Sequence, residues 1–153
     1  VLQKEQMCCD GVQGTVGAGM WGGYGLLSGG TYAGIAPKAS LLMAKVLDQD
    51  GNGSVESVLE GMRWVLSMRK KYPIRVVNIS VGAKPNLEQR QKKRLILGAE
   101  SLWDAGIAVV ASAGNDGPES GSIAYAGDSR KIITVGAYEE IRRGRTRKGQ
   151  RRQ

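Results

Sequence analysis

The sequence contains no histidine among its 153 residues, so it has no imidazole to act as a general base near neutral pH or to complete a mixed cysteine and histidine zinc site. Its two cysteines, Cys8 and Cys9, are adjacent, and neighbouring cysteines do not reach disulfide geometry without strain. No framework of bridges can be read from them, and they leave the redox compartment open. No apolar run approaches the roughly 20 residues that a membrane-spanning helix needs. Val1 is followed by a polar, mixed-charge stretch rather than a basic and then apolar leader pattern. Any export signal is therefore expected outside this chain, and localisation stays undetermined.

What is present is an ordinary globular composition, 41% apolar and 24% charged, at a length that typically buries roughly 70% of its unfolded surface in one domain. The net charge of +8 is placed unevenly. Arg142, Arg143, Arg145, Arg147, Lys148, Arg151 and Arg152 cluster at the end without an acid among them, and the body is close to neutral. A terminal basic run without interleaved aromatics reads as a solvated tail rather than a base-stacking surface. Nucleic-acid association is disfavoured, and no membrane partner is expected.

From about residue 39 short apolar runs alternate with longer amphipathic ones. Ala39 to Leu47 reads as a strand, and Ser54 opens a helix whose Val58, Leu59, Met62, Val65 and Leu66 recur at three- and four-residue spacing. Ile74 to Val81 reads as a second strand. Pro85 and Asn86 mark the entry to another helix, with Leu95, Ala99 and Leu102 on its buried side. Ile107 to Ala111 and Lys131 to Val135 supply two further strands. Strands separated by helices of this length imply right-handed crossovers, so the fold class is α/β, a parallel sheet with helices on both faces. Loops at the carboxyl ends of such strands gather function. The candidates are Asp48 to Gly53, Ser80 to Lys84 and Ser112 to Gly117.

Two motifs in the chain fail on context. Gly17-Ala18-Gly19-Met20-Trp21-Gly22 fits G-x-G-x-x-G, but no apolar strand precedes it and no acid follows at the dinucleotide spacing. Asp48-Gln49-Asp50-Gly51-Asn52-Gly53 opens like a calcium-binding loop. The glutamate that should clamp the ion arrives one residue late as Glu60, about 100° around a helix. No metal and no cofactor are expected.

A third pattern lies in the order of six segments. They are Asp10-Gly11-Val12-Gln13-Gly14-Thr15-Val16, Gly34-Ile35-Ala36-Pro37, Ala44-Lys45-Val46-Leu47 with Gly51-Asn52-Gly53, Val77-Asn78-Ile79-Ser80-Val81-Gly82, Ala113-Gly114-Asn115-Asp116-Gly117 and Ile133-Thr134-Val135-Gly136-Ala137. Together, in this order from Asp10 to Ala137, they resemble the subtilisin-like serine proteases. The resemblance implies a subtilisin-like fold present as the central, incomplete part of a serine endopeptidase domain, in a family that is commonly secreted. It implies three parts: an N-terminal remnant over 1–9, the partial peptidase domain over 10–138, and a basic, disordered tail over 139–153.

Carried over residue by residue, the resemblance gives Gly51, Asn52 and Gly53 as one strand that pairs with an extended peptide or protein substrate. Ser80, Val81 and Gly82 are the other, joined by Ala113 and Gly114. Such pairing reads main chain and tolerates many sequences. Val55 and Val58 match positions lining an apolar subsite, although both also fall on or beside the packing face of their helix. Asn115 stands in a Gly-Asn-Asp-Gly string that would suit a plain turn. Within the ordered series it matches the side-chain donor to the oxyanion, whose loss in subtilisin costs roughly 10²–10³ in turnover.

Gln13 stands at the position of the family's general-base histidine, and a carboxamide cannot take a proton from serine. No D-T-G or D-S-G string precedes Asp10, and no G-T-S-M-A string follows Ala137. Asp10 reads as a local cap or solvent group, since it has no base to orient. Ser28-Gly29-Gly30-Thr31 lacks the carboxylates or amides of a calcium loop. The abrupt change after Ala137 reads as a reading-frame change or truncation. The chain is expected to be inactive alone, and the alternative is a pseudo-protease that holds extended peptides without cutting them.

Overall fold

The computed structural model describes residues 31–81, 87–117 and 119–137. They form helix α1 (Val55–Met68), strand β1 (Val76–Ile79), helix α2 (Gln89–Asp104), strand β2 (Ala108–Ser112), a short 3₁₀ turn (Tyr125–Asp128) and strand β3 (Ile133–Val135). The strands make a parallel sheet in the order β1-β2-β3. This is the α/β architecture expected from the alternation of strands and helices.

Each helix begins and ends for a local reason. The Ser54 side chain accepts from the Ser57 N–H at 3.0 Å, and Ser57 Oγ accepts from the Ser54 N–H at 3.0 Å. This reciprocal box satisfies two orphan donors at the start of α1. Ser57 Oγ also donates to the Val46 carbonyl at 2.9 Å, which ties the incoming chain to the helix. At the end of α2 the Gly106 N–H reaches the Trp103 carbonyl and the Ile107 N–H reaches the Leu102 carbonyl. That is a Schellman ending with Gly106 at φ 82°, a conformation glycine adopts without Cβ strain. The chain therefore turns directly from α2 into β2 and buries Ile107 beside Leu102.

The core is the seam between helices and sheet. Leu59 and Met62 of α1, Leu95, Ala99 and Leu102 of α2, and Ile79, Val109 and Ala111 of the strands are buried in one cluster. The three α2 positions picked out by spacing are all in it. Parallel register sets Ile79 beside Ala111 and Ala111 beside Thr134, so these residues share the helix-covered face. Val76, Val110, Ile133 and Val135 point to the other face, where Val76 is 62% exposed. Within the described residues the helices cover one face of the sheet; helices on both faces are not seen there.

Ala39 to Leu47, expected as a strand, has no ladder partner among the described residues. The segment is extended and mostly exposed, and it rests on α1: a Cβ at Gly61 would come within 2.5 Å of Val46 Cγ1. Contact with the helix and the Ser57 bond hold it where sheet pairing was expected. The other strands begin and end within two residues of their expected bounds, as element ends commonly do.

One exposed ion pair clips the helices together, Arg94 Nη1 on Glu56 Oε1 at 2.7 Å. The Arg94 hydrogen bond lowers the Glu56 pKa below its ordinary value. Because the folded value is the depressed one, the associated stabilisation is complete above the ordinary glutamate range and is lost as pH falls through the lowered value. In Arg94→Gln the Glu56 titration followed by NMR should move up toward the ordinary range; an unchanged midpoint would show that the pair does not form in solution. Leu102→Ala should cost about 2–5 kcal/mol in chemical denaturation, since the residue is fully buried. Leu97→Ala, on the exposed side of the same helix, should stay within about 0.5 kcal/mol.

Candidate active site

The carboxyl end of the sheet is built outward from β2, which pairs with a strand on each side. Ile79 stands opposite Ala111, so Ser80 and Val81 leave β1 beside Ser112 and Ala113 leaving β2. Asn78 Nδ2 donates to Ser80 Oγ at 2.6 Å, which fixes the start of that segment. Val135 is the register partner of Ser112, and its carbonyl accepts from the Ala113 N–H at 2.8 Å. The ladder thus continues one residue past β2 and delivers Ala113, Gly114 and Asn115 to the open edge.

A second set of contacts clamps Ala113 and Gly114 from the far side. The Ala124 N–H donates to the Ala113 carbonyl at 2.7 Å. Ser112 Oγ accepts from the Gly114 N–H at 3.0 Å. Gly114 has φ 94°, and a Cβ there would sit 3.0 Å from Ala124 Cβ. Glycine is demanded twice, by conformation and by space. Behind Ser112, Gly127 packs so tightly that a Cβ would come 2.8 Å from Thr134 Cγ2 and 3.0 Å from the Ser112 carbonyl. Thr134 Oγ1 donates to the Gly127 carbonyl at 2.6 Å, locking turn to strand. The turn is held to α2 by Ser129, whose hydroxyl donates to Glu100 Oε1 at 2.7 Å.

Asn115 itself is exposed, and its side-chain amide has no hydrogen-bond partner among the described residues. A backbone held at Ala113 and Gly114 thus leaves this amide open at the carboxyl end of the middle strand. Ser112, Ala124 and Gly127 supply the rigidity and were not read from the sequence. They act through contacts made across the chain rather than through a local string, and the small residues around positions 124–127 were the available signal.

The other predicted residues are placed separately. Gly51, Asn52 and Gly53 lie in a loop closed by Asp48, whose Oδ1 accepts from the N–H groups of Asp50 (3.0 Å) and Asn52 (2.8 Å). Those bonds occupy the carboxylate in a turn. Among the described residues no group of metal-ligating side chains is present, and no hydrogen bond joins Gly51–Gly53 to Ser80–Val81. Val55 is buried in the core and Val58 packs against it. Gln13, Gly82, Asp10, the two cysteines and the basic tail lie outside the described residues.

A profile of the subtilase family matches residues 11–152. The chain belongs to the subtilase family. Serine protease AprX of Bacillus subtilis (strain 168) is 37% identical over 144 residues, covering 92% of this chain and 33% of AprX. Subtilisin Savinase of Lederbergia lenta is 33% identical over 108 residues, covering 70% of this chain and 36% of Savinase. Among solved structures, sphericase superposes with a TM-score of 0.63 at 25% identity, over 82% of this chain and 39% of its own. The S41 psychrophilic protease gives 0.61 at 30% identity, over 76% and 36%. This subtilase chain spans about a third or less of the curated relatives it matches.

The glycine requirement at the site can be tested directly. Gly114→Ala should lose about 1–2 kcal/mol from left-handed backbone strain alone, with a further loss from the Ala124 contact. Gly121→Ala, at φ 84° with open space around it, should show the strain without the contact. Equal falls in Tm for the two variants would remove the claim that Ala124 clamps Gly114.

Proposed function

We propose that this chain is the peptide-binding and oxyanion-stabilising portion of a subtilisin-like serine endopeptidase and that it does not hydrolyse peptide bonds by itself. The observation that carries the reading is Asn115, whose amide has no partner among the described residues and which follows a backbone clamped by Ala124, Ser112 and Val135. In the mechanism a serine oxygen attacks the scissile carbonyl, a base accepts the serine proton, and charge develops on the carbonyl oxygen. Asn115 would donate to that oxygen as it becomes an anion. A donor already oriented needs no reorganisation when charge appears, so it favours the transition state over the bound substrate.

Substrate would lie extended, its main chain pairing with Ser80-Val81-Gly82 on one side and Gly51-Asn52-Gly53 on the other. Backbone hydrogen bonds supply affinity that depends little on sequence. The proton-transfer step has no agent in this chain. Gln13 lies within the matched span; the resemblance of its segment would put it at the place of the base, and its amide is not basic. The histidine-free composition offers no substitute.

The second reading, peptide holding without cleavage, is favoured by the same pairing of a prepared oxyanion donor with an absent base. Purified 153-residue chain is expected to give no turnover of an internally quenched peptide, and Gln13→His alone should restore none. Turnover that copurifies with the chain through orthogonal columns would refute the inactive assignment. Extended peptides should bind, and Val81→Pro should abolish the binding by removing a backbone donor. Peptide affinity unchanged in that variant would exclude the proposed pairing strand.

A further inference from the structure

The opposite, amino-terminal edge of the sheet carries a feature that proteolysis does not use. The turn from α1 into β1, Arg69-Lys70-Lys71-Tyr72-Pro73-Ile74-Arg75, has four bases in seven positions and no acid. It borders a cleft of about 380 Å³ whose lining includes Arg69, Lys70, Arg75, Pro73, Ile74 and Gly106. Three cations converge there and no carboxylate lines the space. Asp104, next in the chain to that lining, is engaged by Lys131 at 3.1 Å.

Helix-end electrostatics accounts for part of this clustering. The closing carbonyls of α1 are already met by backbone, with the Arg69 N–H on Val65 and the Lys71 and Tyr72 N–H groups on Met68. Arg69 Nη1 donates to the Ala105 carbonyl at 3.1 Å, which fixes the guanidinium at the wall of the cleft. Neither Lys70 nor Arg75 has a side-chain partner among the described residues. Gly106 leaves its side of the cleft open, with nothing within 4 Å of a Cβ position. Like charges brought together around a concavity repel unless an anion joins them.

We propose that this cleft binds a phosphate group. Guanidinium forks engage tetrahedral oxyanions through paired N–H bonds, and a lysine ammonium adds a point charge. A doubly charged anion answers three cations better than a single carboxylate does. Pro73 and Ile74 provide an apolar floor for the substituent of a small phosphate ester. The site lies across the sheet from Asn115, so it stands or falls independently of peptide binding.

The test is an NMR titration of the 153-residue chain with inorganic phosphate and with phenyl phosphate at low ionic strength. Saturable shifts at the Arg75 and Gly106 amides are expected, with a dissociation constant on the order of 1 mM. Lys70→Gln and Arg75→Gln should each weaken binding, and the double variant should lose about tenfold or more. Arg130→Gln, outside the cleft, should leave it unchanged. Tighter phenyl phosphate binding points to an ester as the physiological source, and equal binding points to free phosphate. Shifts that do not saturate, or that persist in the double variant or in either single variant at full affinity, overturn the proposal.

Discussion

Strand β2 is the constraint on which the carboxyl edge depends, because it alone is hydrogen-bonded on both sides among the described strands. Its burial alternates along its length, with Val109 and Ala111 packed beneath the helices. A shift of one residue would place those side chains on the exposed face, so register is strongly specified. Register then fixes which residues leave the sheet together. Ser80 emerges beside Ser112, and Ala113, two residues before Asn115, is bonded to the Val135 carbonyl and the Ala124 N–H. The position of the backbone that carries Asn115 thus depends on apolar packing elsewhere in the fold, at Leu102, Ala99 and Leu59.

Much of this was legible in the chain because the relevant signals are local. Leu95, Ala99 and Leu102 recur at helical spacing and are buried together. Ser54 with Ser57 announces the start of α1 through side chains that reach their own backbone. The expected strand over Ala39 to Leu47 shows where such signals stop. Apolar character marks a segment as suited to a sheet, but a strand exists only where a neighbour supplies the ladder, and that neighbour is a long-range fact. Here Val46 finds α1 instead. The two valines at 55 and 58 show the same limit: spacing put them on or beside the packing face and the resemblance offered a subsite, while in the structure Val55 is buried in the core and Val58 packs against it.

The site was legible in part for a related reason. Asn115 could be named from an ordered series of short strings, each nearly meaningless alone. The residues that make it useful could not. Ser112 and Thr134 act through hydroxyls that bond backbone, while Gly127 acts through the absence of a side chain against the Ser112 carbonyl. No local pattern distinguishes these from ordinary strand and turn residues. Their roles follow only once β3 and the 3₁₀ turn are seen to close over the end of β2.

The geometry around Ala113 and Gly114 separates two requirements that a working protease satisfies at once. Orienting a donor is a property of backbone packing, maintained by register, by Gly114 in a left-handed conformation and by the Ala124 contact. Accepting a proton is a property of one side chain, and it disappears with a single replacement that leaves packing untouched. Gly114 adopts its left-handed conformation without Cβ strain, and it is held by the Ser112 hydroxyl and by the narrow space beside Ala124, groups that also hold the fold. The backbone at Ala113 and Gly114 is therefore held for structural reasons that do not depend on a base. In the function proposed above, affinity for an extended peptide would rest on the same packed strands, so binding would be separable from catalysis.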